Sequence, residues 1–225
     1  MATATSKILV WDAPVRVFHW LMVLCFAGAW LTSESERWQL VHVTLGYTMA
    51  GLIAFRLLWG LVGTRYARFA QFVRGPVAVL GYLQSLRHGR ARHHVGHNPA
   101  GALAIVLILL AGSALTASGW ASYNEIGGHW LEAFHEVLGN GLLLLVGVHV
   151  AGVLVSSRLH RENLVRAMLT GRKAGAPSEG IPHSHALLAL VLLALVFGFW
   201  WSQWRSAPVE SAQTAIKTVA TIALS

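Results

Sequence analysis

His135 and His149 stand fourteen residues apart in the apolar run HEVLGNGLLLLVGVHVAGVL. At about 100° per residue, that spacing brings the second side chain back to within roughly 40° of the first. At 1.5 Å per residue, the two lie about 21 Å apart along a helix axis. One helix would therefore carry two imidazoles on one face, one toward each side of a bilayer. Ionisable groups at membrane depth are costly, so such a placement points to function. Imidazole nitrogen can ligate a metal or carry a proton.

The elements that must hold these residues are membrane helices. The chain has 225 residues, 55% hydrophobic and 12% charged, where soluble domains carry about 25% charged residues. Five apolar runs, at 15–31, 40–62, 99–120, 130–157 and 185–204, are each close to the ~20 residues that cross a bilayer. Asn98 and Pro99 read as the N-cap and first residue of the third run, and Asp12 and Pro14 precede the first. Ser184 is a candidate cap for the fifth. Gly63 and Gly119 are placed just past the ends of the second and third. The expected fold is an all-α membrane protein, a four-helix transmembrane bundle plus a fifth C-terminal transmembrane helix. Residues 1–173 form the bundle, 174–184 a flexible linker, and 185–225 the fifth helix with its tail. VAVLGYLQSL after Gly75-Pro76, and HRENLVRAML stopped by Gly171, read as short helices on the membrane surface.

Charge distribution sets the orientation. The net charge is +8, and thirteen of the seventeen Lys and Arg fall in the N-terminal segment, the 64–98 loop and the 158–184 loop. The positive-inside rule puts these in the cytoplasm, with the N-terminus, and puts the C-terminal tail in the periplasm. The expected location is a bacterial inner membrane, with lipid as surroundings and no nucleic-acid partner. Ten tryptophans read as aromatic belts, with Trp11, Trp20 and Trp59 on the inner side. The first run resembles a signal peptide, with Ala27-Gly28-Ala29 as a small-residue site, but four further spans and His19 within it favour a retained helix. The single Cys25 excludes a disulfide, and no C-x-x-C-H is present for covalent haem. Cys25 reads as a small core residue.

The twelve histidines sort by depth. His88, His93, His94, His97, His160, His183 and His185 fall in inner loops or at a helix start, and His129 in an outer loop. These read as solvated or interfacial groups. His93 and His97 are four apart, but no nearby Cys or carboxylate completes a metal site. Four remain within spans. Alternating helix direction places His19 and His149 near the inner surface and His42 and His135 near the outer one. They form two level pairs, His19 with His149 and His42 with His135. Two imidazoles facing each other across a bundle are the axial ligation of a six-coordinate haem. Gly46 and Gly139 each lie four residues after a histidine of the outer pair, one turn along the same face. Missing side chains there would let a porphyrin lie against backbone. Small residues also serve helix packing in membranes generally. Arg56, fourteen residues after His42, faces the inner end. It either holds a haem carboxylate or snorkels to the interface.

The segments VWDAPVRVFHW, VHVTLGYTMAGLIAFRLLWGLVGTRYARF, HNPAGALAIVLILL and FHEVLGNGLLLLVGVHVAGVLVSSRLHRENLVRAM resemble the bacterial cytochrome b561 and nickel-hydrogenase b-type cytochrome family over roughly residues 8–173. The resemblance implies a four-helix core with two non-covalent b haems, each held by two histidines, at His19, His42, His135 and His149. It implies electron transfer between membrane quinone or quinol and a redox partner, such as a c-type cytochrome or a dehydrogenase or hydrogenase. Two other readings remain: a haem-bearing, non-catalytic anchor subunit of a larger oxidoreductase, and a transporter using intramembrane histidines. The fifth span carries no histidine, and no segment defines a quinone site.

Overall fold

A computed structural model of the chain describes residues 6–88 and 93–206. Five of its helices are long and apolar enough to cross a membrane. They are α1 (Ala13–Thr32), α2 (Gln39–Val62), α5 (Pro99–Tyr123), α6 (His129–Leu159) and α8 (Ala186–Ser206). Between them run the short helices α3 (Phe69–Phe72), α4 (Pro76–Arg87) and α7 (Leu164–Thr170). The fold is an all-α membrane bundle, as expected from the apolar runs. The tail after Ser206 lies outside the described residues.

Helix starts follow the caps. Asp12 accepts from the Val15 N–H at 2.8 Å, with Pro14 in the first turn. Asn98 accepts from the Gly101 N–H at 2.7 Å, ahead of Pro99. Gly63 closes α2. α8 starts one residue later than the run suggested, and the His185 carbonyl accepts its first bond, from the Ala189 N–H at 3.3 Å. The Ser184 carbonyl instead accepts from the Ala13 N–H at 2.8 Å. The reading of Gly119 as a helix end fails: α5 continues to Tyr123, and Gly119 lies inside it.

Packing is sequential, α1 on α2, α2 on α5 and α5 on α6, with α8 outside against α1 and α2. Leu21 and Cys25 of α1, Met49 and Leu52 of α2, and Leu192 and Val196 of α8 form one core. Cys25 is fully buried there, as a small apolar filler. The Trp200 indole N–H donates to Thr48 Oγ1 at 2.8 Å, so this tryptophan locks α8 to α2. Trp30, Trp38, Trp120, Trp130, Trp201 and Trp204 are exposed and fit an outer belt. Trp11 and Trp59 do not belong to an inner belt. Trp11 is buried with Ile8, Val10 and Ala167, and Trp59 is hydrogen-bonded to Asp12.

The end that carries the long loops is closed by a clasp. Strand β1 (Ser6–Leu9) pairs antiparallel with β2 (Arg172–Gly175), Lys7 opposite Ala174. Val10 and Trp11 N–H both donate to the Gly171 carbonyl at 2.8 and 3.0 Å, and Ile181 N–H donates to Leu9 at 2.9 Å. The Tyr66 hydroxyl donates to the Glu179 carbonyl at 2.8 Å. Gly171 has φ 77°, and a Cβ there would stand 2.6 Å from the Trp11 carbonyl oxygen. A side chain is therefore excluded twice over, by conformation and by contact. The stretch expected as a flexible linker at 174–184 is thus hydrogen-bonded structure. Its Gly, Pro and Ser residues serve a strand, a tight turn at Pro177–Glu179 and the return into α8.

Asp12 joins the clasp to the bundle. Its second carboxylate oxygen accepts from Trp59 Nε1 at 3.1 Å and from Thr64 Oγ1 at 2.6 Å. Loss of an N-cap costs about 1 kcal/mol, and each buried donor left unmet costs about 1–3 kcal/mol. Asp12→Ala is expected to lower stability by roughly 3 kcal/mol or more on that arithmetic. Asp12→Asn should lose less, because its amide oxygen still caps. Thermal unfolding in detergent followed by circular dichroism checks both.

Candidate functional site

Two of the four intramembrane histidines meet directly. The His42 ring of α2 and the His135 ring of α6 have centroids 6.2 Å apart at 79°. His42 Nδ1 bonds the Ala29 carbonyl at 2.8 Å. Ala29 is in the last turn of α1, where carbonyls lack an intrahelical N–H partner. His135 Nδ1 bonds the Leu115 carbonyl at 3.0 Å and lies 3.1 Å from Ser118 Oγ. The Ser118 hydroxyl itself donates to Leu115 at 3.0 Å. A carbonyl can only accept, so both Nδ1 atoms carry the proton. With each Nδ1 committed to a carbonyl, Nε2 is the ring nitrogen left to ligate, as in a metal-ligating histidine whose other nitrogen is held by a backbone carbonyl.

Gly119 makes room for this arrangement. A Cβ on it would stand 2.7 Å from His135 Cε1 and 3.1 Å from Nδ1. Sequence reading took this glycine for a cap, because its contact partner lies on another helix. Gly46 and Gly139 are half-buried. A Cβ on Gly46 would meet nothing within 4 Å, and one on Gly139 would meet only Leu115 Cδ1, at 3.9 Å. A side chain at either position would thus meet little of the chain itself.

At the clasp end, His19 of α1 and His149 of α6 are half-buried and within electrostatic reach of each other. His19 Nδ1 is closed off from solvent with no partner. Arg56 does not snorkel, since the residue is 3% exposed. Its Nη2 donates to the Ala67 carbonyl at 3.0 Å, and its guanidinium lies 4.7 Å from the Phe69 ring centre. Arg56 Nη1 is buried without a partner.

Sequence reasoning missed His97. It is half-buried, not solvated, with its ring 4.5 Å from Trp11 and 4.6 Å from Phe72 between centroids. Its Nδ1 is closed off and unpartnered. Loss of solvent, then the charges of Arg56 and Lys173, push its pKa down to about 3. His97 therefore stands neutral. The one available signal was its place immediately before the Asn98-Pro99 cap, which fixes it at the helix entry.

His93, read as lacking a carboxylate nearby, receives one from far along the chain. Glu162 Oε2 lies 3.2 Å from His93 Nε2 and 3.0 Å from Lys173 Nζ. Lys173 Nζ also donates to the His94 carbonyl at 3.2 Å. Among the described residues, no three His, Cys, Asp or Glu side chains form a group that could hold a metal ion. The intramembrane histidines come as pairs, which suits a prosthetic group bringing its own equatorial ligands.

A helical membrane bundle with paired histidines at its two ends is the architecture of a membrane b-type cytochrome. The family comparison agrees: the model of the prokaryotic cytochrome b561 family matches residues 10–171, and the chain belongs to that family. It is thus a multi-pass membrane protein of a haem b, electron-transfer family. The match contains all four histidines and Arg56 and leaves out α8. A probable Ni/Fe-hydrogenase 1 B-type cytochrome subunit of Escherichia coli K12 is 29% identical over 143 residues, 52% of this chain and 60% of that protein. The chain thus spans about 60% of that relative's length. Probable Ni/Fe-hydrogenase B-type cytochrome subunits of Rhodobacter capsulatus and Azotobacter chroococcum are 22% and 25% identical. These matches cover 75% and 74% of this chain, and 82% and 88% of those proteins. No solved structure matches the chain.

Lys173 is almost fully enclosed, with its side chain 3% exposed. Removing one partner of a buried ion pair costs about 3–5 kcal/mol, whereas replacing both with apolar groups is often neutral. Glu162→Gln is expected to destabilise toward the lower end of that range, since Glu162 keeps 16% exposure. Adding Lys173→Met to it should recover most of the loss. Melting temperatures of the two variants in detergent decide this.

Proposed function

We propose that this chain is a di-haem cytochrome that carries electrons across the membrane between the quinone pool and a redox partner subunit. The observation that carries the reading is the His42–His135 pair, with both Nδ1 protons committed to helix carbonyls and both Nε2 atoms left to ligate. His42 and His135 face each other from α2 and α6 and would together hold a haem iron, the group that supplies the redox chemistry. Their ring centres stand 6.2 Å apart. Open space beside Gly46 and Gly139 fits a flat macrocycle lying against backbone. His19 and His149 are the second pair by the same topology. Arg56 Nη1, buried and unmet, is the donor for a carboxylate of the haem at that end.

Haem iron supplies one-electron chemistry between two oxidation states. What the chain does is place two such centres on one helix, about 21 Å apart along its axis. It fixes each ligand's tautomer through the Ala29 and Leu115 carbonyls at one end. Positive-inside charge puts the clasp end in the cytoplasm of a bacterial inner membrane and the His42–His135 end toward the periplasm. A periplasmic partner would then exchange electrons with the His42–His135 centre, and quinone would be the lipid-side substrate.

The relatives' names refine the partner. They are cytochrome subunits of Ni/Fe hydrogenases, which supports a redox enzyme subunit docked on this chain over a soluble c-type cytochrome. An anchor role for such a complex is compatible with haem transfer. Membership of a cytochrome family favours either over transport.

Purified protein should contain two b haems per chain by pyridine haemochrome. His149→Ala should lose one and keep the other, and unchanged haem content would sink the assignment of that residue. Gly119→Val, which drives a side chain into His135, should lose the other haem while leaving the His19–His149 centre spectrally intact.

A further inference from the structure

Buried polar nitrogens without a partner are costly and rare in native proteins, yet two belong to side chains packed on the same ring between α2 and the entry to α5. Arg56 is 3% exposed and leaves Nη1 unmet. His97 leaves Nδ1 unmet. Phe72 touches both: its ring centre is 6.0 Å from the guanidinium carbon and 4.6 Å from the His97 centroid. Trp11, 4.5 Å from the same imidazole, takes away the freedom to turn toward another acceptor. His97 is within electrostatic reach of Arg56 and of His149. A cation would be repelled here by Arg56 and Lys173. A guanidinium beside a neutral ring N–H asks for an anion with two acceptor oxygens, which is a carboxylate.

We propose that His97 is the second donor, beside Arg56, to a carboxylate of the haem held by His19 and His149, and that it positions that group and sets that centre's potential. The inference rests on the di-haem reading above. Its physical content is charge placement. A carboxylate held by Arg56 and His97 stays ionised through the redox cycle, with its charge spread onto two donors. Without the His97 N–H, more of that negative charge is felt at the iron. Reduction becomes harder, and the carboxylate takes up a proton on reduction over a wider pH range.

The test uses the full chain in detergent, with haem counted first. Fewer than two haems in the wild type overturns the di-haem reading, and this inference with it. With two haems present, His97→Phe keeps the aromatic packing and removes the donor. The expected result is retention of both haems and a lower midpoint potential for one. The shift should correspond to a three- to tenfold change in its oxidised-to-reduced ratio, tenfold being about 59 mV for one electron. The pH dependence of that potential should extend to higher pH, while the other haem's potential stays fixed. His97→Asn, which restores an N–H near the Nδ1 position, should return the potential toward the wild-type value. Two unmoved potentials in His97→Phe overturn the inference and leave the di-haem reading standing. A measurement needing no substitution is 15N NMR of labelled wild type, where His97 must carry its proton on Nδ1; a bare Nδ1 overturns the inference equally.

Discussion

The Asp12 carboxylate fixes the height of one helix against another. It is 1% exposed and accepts from the first turn of α1, from Trp59 near the end of α2 and from Thr64 just beyond. An enclosed carboxylate tolerates little displacement, because any shift leaves a buried charge or a buried donor unmet. The start of α1 and the end of α2 are thereby held level. His19 and His42 then stand at set depths near opposite ends of one antiparallel pair. Depth is what a protein with histidine pairs at two levels must control, and here one carboxylate side chain near the helix ends holds it.

That registration reaches the histidines through helix ends and helix crossings. Because α1 stops at Thr32, the Ala29 carbonyl is free to take the His42 Nδ1 proton. The corresponding carbonyl for His135 lies within α5, at Leu115. Reaching it requires α6 to approach α5 closely, and Gly119 is the residue that permits the approach. One imidazole is thus oriented by a backbone vacancy at a helix terminus and the other by a missing side chain within a helix. Either device fixes a tautomer without any charged partner, which suits an apolar surrounding where a carboxylate would be costly.

The spans, their caps at Asp12 and Asn98, and the meeting of His42 with His135 were legible because each is set by local physics. Apolar run length gives the span, side-chain oxygen near a free N–H gives the cap, and helix rise gives the depth. The surface helices α4 and α7 were legible for the same reason. What failed depended on contacts between distant segments. Trp11 and Trp59 carry the composition of a membrane belt, but β1 and Asp12 draw them into a protein interior. Residues 174–184 have a linker's composition, and only the pairing of β2 with β1 reveals a clasp. Glu162 lies sixty-nine residues from His93, so its carboxylate could not be counted as a neighbour.

The two ends of the bundle solve polar satisfaction differently, and the difference bears on function. At the His42–His135 end each Nδ1 is met by the chain's own backbone. At the clasp end His19 Nδ1, Arg56 Nη1 and His97 Nδ1 are all enclosed and unmet. Buried nitrogens are rarely left unmet in native proteins, and these three are the ground for the carboxylate proposed at that end. Arg56 is cationic, which is why an anion is proposed there, and Phe69 and Phe72 pack against its guanidinium. On the proposed reading, cofactor and fold are one construction at that end, with the clasp closing over the carboxylate edge of the haem.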